Sequence, residues 1–246
     1  MNIILTNDDG YFAPGIQALY KALKDKCNVT ILAPDRERSA TSHWISIREP
    51  MVIKEQDKNI YSCSGTPADC TTLAVKGPLD LNPDLIISGI NNGPNLGTDI
   101  IYSGTAAAAR QAALMSLPAV AVSMASLRGP YNYEAAAQFI AANTDIFVRK
   151  ADPDHFLNIN IPNLDKEYDV QITTPARRYY NDTIHTYTAP DKGVYCFVQG
   201  ALHDVVPEAN SDWAAVQQGM ISISSIYIHP LNHDNNVYQK VEFTKP

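Results

Sequence analysis

Short apolar runs alternate with amphipathic helical stretches through the first 160 residues, and this alternation restricts the fold more than any other feature of the chain. Ile3, Ile4 and Leu5 form a buried-type strand almost at the first residue. In residues 15–23, Ile16, Leu19, Tyr20 and Leu23 recur at helical spacing. Residues 29–32 are a second strand, stopped by Pro34. Residues 48–63 alternate apolar and polar side chains around the turn Asp57-Lys58-Asn59 and predict a hairpin. Thr66-Pro67 supplies a capping hydroxyl followed by proline at the first helical position, and predicts a helix through residues 71–75. Residues 85–87 are a third strand, followed by a loop rich in glycine and asparagine. Ser103 then opens an alanine-rich helix over residues 106–115. Residues 119–122 predict a strand, 133–148 a helix and 156–161 a further strand. Strands separated by helices need right-handed crossovers, so the expected fold class is α/β with a mostly parallel sheet flanked by helices.

The second half changes character. From about residue 152 prolines and tyrosines become denser. Residues 169–174 and 179–187 read as strands. Pro190-Asp191-Lys192-Gly193 is a turn, with a returning strand over residues 194–198. This tyrosine-rich hairpin is either an edge hairpin of the sheet or an arm projecting from the core. Ser211-Asp212 caps a short helix through Gln218, Gly219 ends it, and residues 220–226 form a strand. The tail from His229 shows no pattern. The expected organisation is one domain over residues 1–246, with a core to about residue 162 and a hairpin, helix and strand portion after it.

Composition excludes several function classes. Hydrophobic residues make up 45% and charged residues 18%, which is the balance of a globular chain rather than a disordered one. A formal net charge of -7 lacks the basic footprint that duplex nucleic acid requires, though it leaves room for a local anion pocket. No apolar run is long enough to span a bilayer, and no secretory pattern opens the chain. Cys27, Cys63, Cys70 and Cys196 form no CxxC pair, so reduced thiols and a cytoplasmic setting are expected.

In an open parallel sheet, ligands bind beyond the carboxyl ends of strands near the point where strand order reverses. Polar motifs crowd at such places here. The first strand ends in Asp8-Asp9-Gly10, the second is followed by Asp35-Arg36-Glu37-Arg38-Ser39, and the third by residues 88–97. Tyr102-Ser103-Gly104-Thr105 precedes the alanine-rich helix. Two adjacent ionised carboxylates repel, and a divalent cation offsets that repulsion. Asp8 and Asp9 with the neutral oxygens of Ser39 and Asn91 make an all-oxygen set, which suits Mg²⁺ or Mn²⁺ rather than Zn²⁺. One Asp alone would read as a turn former; an adjacent pair among three further polar loops reads as a metal site. Ser103, Gly104 and Thr105 open a helix whose free N–H groups and dipole suit an anion. Arg36 and Arg38 read as solvated partners of Asp35 and Glu37. His43 reads as a packed or exposed histidine, Asp69 as a first-turn acid, and Asp99 as an organiser of the glycine-asparagine loop.

The motifs TNDDG (6–10), APDRERSA (33–40), GTPADC (65–70), SGINNGPNLGTD (88–99) and YSGT (102–105), in this order and spacing, resemble the SurE survival-protein family of metal-dependent nucleoside monophosphate phosphatases. The resemblance implies a Rossmann-like core and a C-terminal portion whose extended elements exchange between subunits, giving a homodimer or homotetramer. It places one divalent cation per subunit on Asp8, Asp9, Ser39 and Asn91, and phosphate contacts on Asn95, Ser103, Gly104 and Thr105. The implied substrates are nucleoside 5′- and 3′-monophosphates, with short polyphosphate in some members. Asp8 or Asp9 would accept the proton of the attacking water. Trp44 stands where a small residue is usual, Gln111-Ala112 replaces a Glu-Gly pair, and the sequence after Asp169 matches the family poorly. An aspartyl-phosphate mechanism usually needs a second acid two positions after the nucleophile, and here the acids are adjacent. A nucleotide-binding regulator without catalysis is the alternative from another class.

Overall fold

The computed structural model describes residues 1–163, 169–202 and 206–230. Its strands are β1 (Asn2–Thr6), β2 (Asn28–Pro34), β3 (Ile53–Asp57), β4 (Ile60–Cys63), β5 (Leu85–Asn91), β6 (Ala119–Met124), β7 (His155–Ile161), β8 (Val170–Thr173), β9 (Tyr180–Thr188), β10 (Val194–Leu202) and β11 (Ile221–Tyr227). Nine of them form one sheet in the order β3-β4-β2-β1-β5-β6-β7-β11-β8. The run from β4 to β7 is parallel throughout. β1 sits in its interior because its side chains are buried on both faces, Ile3 and Leu5 on one and Ile4 on the other. Each such side chain contributes roughly 1.5–3 kcal/mol by leaving water, so a charge at Ile4 would break the sheet at its centre.

Helices α1 (Pro14–Leu23) and α4 (Tyr133–Arg149) cover the face of Ile3 and Leu5. Helices α2 (Pro67–Lys76) and α3 (Gly104–Leu114) cover the face of Ile4, Leu32 and Ile86. The capping expectation at α2 holds: Thr66 and Asp69 satisfy each other's backbone N–H groups in a capping box, with Pro67 at the first helical position. The alanines of α3 let it lie close to the sheet and to α2, where the Thr71 hydroxyl donates to the Ala108 carbonyl at 3.2 Å. From β1 the chain builds outward to β2 and β4, then returns to the other side of β1 with β5. The reversal therefore falls between the carboxyl ends of β1 and β5.

Two features of the second half were not resolved by sequence. β8 and β11 extend the main sheet, β11 running antiparallel to β7 and parallel to β8. The short helix α5 (Asp212–Gln217) starts on the Ser211 cap, as expected. β9 and β10 pair only with each other, from Leu202↔Tyr180 to Val194↔Thr188, and every residue of β9 is exposed. The hairpin is thus an arm rather than an edge of the sheet. Most of the tail, residues 231–246, lies outside the described residues. Among the described residues no helix is long and apolar enough to cross a membrane.

Candidate active site

The turn after β1 is built by Asn7. Its buried side-chain oxygen accepts the Gly10 N–H at 3.1 Å and its amide donates to the Gly10 carbonyl at 2.9 Å. Gly10 closes this turn with φ +102°, a conformation that favours glycine. Asp8 and Asp9 are thereby held at the carboxyl end of β1. The Arg38 N–H donates to the Asp8 carbonyl at 2.7 Å and brings the loop after β2 alongside.

Asp8 is buried against the start of α3. Its carboxylate accepts the Thr105 hydroxyl at 2.5 Å and also the Thr105 backbone N–H. A Cβ on Gly104 would lie 2.9 Å from the Asp8 Cβ, so glycine is what allows this approach. Burial pushes the Asp8 carboxyl above its ordinary value of 3.8, and the Thr105 hydrogen bonds counteract only part of that rise. Asp9 is pushed up to about 6, first by burial and then by the neighbouring Asp8 charge, with partial relief from the Asn92 backbone N–H. One Asp9 oxygen, Oδ2, is buried and has no hydrogen-bond partner.

Six of the eight expected site residues, Asp8, Asp9, Ser39, Asn91, Asn95 and Ser103, line one cavity of about 540 Å³. Gly104 and Thr105 do not line it; they stand behind Asp8, and the Thr105 hydroxyl is committed to that carboxylate. Ser39 is exposed and donates to Glu37 Oε1 at 2.8 Å. Asn91 ends β5, and its amide nitrogen donates to the Gly93 carbonyl at 2.9 Å, so its oxygen is the end left for a cation. Asn95 is clamped from below. Its side chain donates to Ser123 at 2.8 Å, its N–H to Asn160 at 2.9 Å, and its carbonyl accepts both Asn158 and Asn160. Ser103 caps α3 by accepting the Ala106 N–H at 3.0 Å, which leaves its proton free to donate.

The cavity also contains residues that sequence reasoning did not place there. Glu37, read as half of a solvated pair, lines it, as do Asp182 and Asp99. With Asp8 and Asp9 this makes five carboxylates, and among the described lining residues there is no Lys, Arg or His. Arg38 turns away, donating to the Ser64 carbonyl at 2.5 Å and pairing with Asp35. His43 does not line the cavity; it hydrogen-bonds Gln111 at 2.8 Å, and burial holds it below the usual imidazole range. Trp44 is 62% exposed and lies outside this cavity. A larger cavity, about 740 Å³, opens between α1 and α4, but it lies on helix flanks and gathers one acid and one base, Glu134 and Lys21. The chemistry concentrates in the smaller one.

The family model of the survival protein SurE matches residues 3–182, about three quarters of the chain. The chain belongs to the survival protein SurE family. A relative named 5′-nucleotidase SurE from Kosmotoga olearia is 41% identical over 241 residues, covering 95% of each chain. A second of that name, from Desulfitobacterium hafniense, is 42% identical over 248 residues, covering 98% of this chain and 95% of its own. The crystal structure of SurE protein from Aquifex aeolicus superposes with a TM-score of 0.83 at 33% identity, covering 94% of this chain and 95% of that one.

The residues at the cavity fit a hard divalent cation. A lining whose charged groups are all acids needs a counter-charge before an anion can enter, and the orphaned Asp9 oxygen is a buried acceptor in want of a partner. Among the described residues no three His, Cys, Asp or Glu side chains form a metal cluster, so neutral oxygens would have to complete the set begun by Asp8 and Asp9. Ser39 and Asn91 supply such oxygens in the same cavity.

Proposed function

We propose that this chain is a divalent-metal-dependent nucleotidase that hydrolyses nucleoside 5′-monophosphates, and also 3′-monophosphates, to nucleoside and phosphate. The single observation that carries this reading is the cavity at the β1/β5 reversal whose charged lining is entirely carboxylate and includes a buried, unpartnered oxygen. The names of the relatives supply the substrate class. Asp8, Asp9, Ser39 and Asn91 would hold the cation, Mg²⁺ or Mn²⁺. When bound, it supplies charge compensation, polarises a phosphate oxygen and makes a water more acidic. Asn95 and Ser103 donate to the remaining phosphate oxygens, where charge develops in the transition state. Gly104 and Thr105 act through Asp8, by admitting and orienting its carboxylate. Asp8 spends an oxygen on Thr105 while Asp9 keeps a free one. That free oxygen is the one the cation would take, and one acid of the pair accepts the proton from the attacking water. The same commitment of Asp8 to Thr105 argues against an aspartyl nucleophile.

The arm carries exposed Ile184, Tyr187, Phe197 and Val198, apolar surface that a second copy would cover in a dimer or tetramer. All four cysteines are free, in keeping with a cytoplasmic enzyme. The test is phosphate release from AMP, 3′-AMP and short polyphosphate in EDTA and in several divalent ions. Release from AMP that EDTA abolishes and Mn²⁺ or Mg²⁺ restores supports the reading. Release indifferent to EDTA, or none in any ion, overturns it.

A further inference from the structure

Part of the cavity wall comes from the root of the arm. Tyr180 and Asp182, near the start of β9, line the cavity together with Tyr102 and Asp99 from the segment that follows Asn95. Because the arm pairs only with itself, its position against the cavity has to be set where it leaves the body. Arg178 stands at that place. Its side chain is only 11% exposed, and it forms an ion pair with Asp99. Its guanidinium lies 5.9 Å from the Tyr180 ring centroid and 5.3 Å from that of Trp213. Its backbone N–H donates to the Thr98 hydroxyl at 3.0 Å. The Tyr180 hydroxyl donates to the same Asp99 carboxylate at 2.8 Å. Asp99 is thus shared between the arginine and the tyrosine.

The base beneath this group is rigid. Fully buried Asp212 accepts the N–H groups of Gly97 at 2.7 Å, Ala176 at 2.9 Å and Trp213 at 2.8 Å. It thereby ties the 3₁₀ turn Gly97–Ile101 to the segment that leads into the arm. The two are so close that a Cβ on Gly97 would lie 2.1 Å from the Ala176 carbonyl oxygen. Arg178 also offsets one of the carboxylates that would repel an incoming phosphate. What the arrangement presents to the cavity is an aromatic side chain with its hydroxyl end anchored, and Tyr102 adds a second aromatic residue to the lining. A phosphate group has no use for such a wall, whereas a base or ribose stacks on it.

We propose that Arg178 is a positioning residue that seats Tyr180 as a wall of the nucleoside end of the cavity, and that the Arg178–Asp99–Tyr180 unit sets the preference for nucleoside monophosphates over small phosphate esters. The inference rests on the nucleotidase reading above. Its test is the ratio of kcat/KM for AMP to kcat/KM for glycerol 2-phosphate, a monoester with no ring to stack, measured with Mn²⁺ for the full chain and its variants. Tyr180→Ala changes a partly exposed ring on a hairpin and leaves the sheet untouched. It should lower the ratio about tenfold, the size of one lost stack, through a higher KM for AMP. Arg178→Met should lower the ratio in the same direction. Arg178→Lys should restore only part of it, because an ammonium cannot lie across two rings and pair with a carboxylate as a guanidinium does. An unchanged ratio in folded Tyr180→Ala overturns the proposal whatever the absolute rates. Failure of the unaltered protein to release phosphate from AMP would sink the nucleotidase reading instead, so the two failures are distinguishable.

Discussion

Asp9→Asn should make the metal-free protein more stable at neutral pH while destroying its metal site. The carboxyl is pushed from 3.8 to about 6, mainly by burial and the adjacent Asp8, and its Oδ2 has no partner. A raised acid binds its proton more tightly in the folded state. The stability it allows is therefore fully present below about pH 4 and is lost as the pH rises through about 6. The full displacement corresponds to roughly 3 kcal/mol at pH 7 or above. Solvent reaching a partly open carboxylate screens this to about 1–2 kcal/mol. For a chain of this length that is a rise in Tm of about 2–8 °C for the asparagine variant. The assay is thermal unfolding of EDTA-treated protein at pH 7.5 and at pH 5, followed by circular dichroism. The variant should lead clearly at pH 7.5, the gap should shrink at pH 5, and added Mn²⁺ should stabilise only the unaltered protein. An asparagine variant that is equal or less stable at pH 7.5 without metal would refute the electrostatic account of the pair.

Two further outcomes follow from the supports of the site. Gly104→Ala places a Cβ 2.9 Å from that of Asp8 and displaces the carboxylate, so Mn²⁺ affinity by calorimetry should fall roughly 10–100-fold while the helix itself remains formed. Asn160→Ala leaves the buried N–H of Asn95 without its acceptor and removes one donor from its carbonyl. That should cost about 1–3 kcal/mol in denaturant unfolding, and AMP turnover should fall with it as the loop loosens.

Much of the fold was legible because the apolar runs of β1, β2, β5 and β6 are buried on both faces, which produces nearly continuous hydrophobic stretches in sequence. The end of β5 was not. Ser88 to Asn91 reads as loop because of Gly89, yet this glycine marks close backbone packing: a Cβ there would lie 2.3 Å from the Val122 carbonyl oxygen. Asn91 is consequently a strand-end residue. The candidate site was legible where neighbours in sequence are neighbours in space, as for Asp8 with Asp9 and Ser103 with Gly104. It was illegible where long-range contacts decide. Thr105 turns its hydroxyl to Asp8, which is 97 residues away in the chain. Asn158 and Asn160 look like polar interruptions of a strand but clamp Asn95 more than sixty positions earlier. Tyr180 and Asp182 line the cavity where both Arg178 and the Tyr180 hydroxyl meet Asp99, some eighty positions earlier. The poor match of the arm to the family motifs gave no hint of that contact.

One cation is expected between the oxygens of Asp8, Asp9, Ser39 and Asn91 in the acid-lined cavity. The most direct measurement is anomalous diffraction from crystals grown with Mn²⁺ at a concentration that supports AMP hydrolysis. A single strong peak per chain should stand in that cavity, within coordination distance of both aspartates. A peak elsewhere, or none at an active Mn²⁺ concentration, would contradict it.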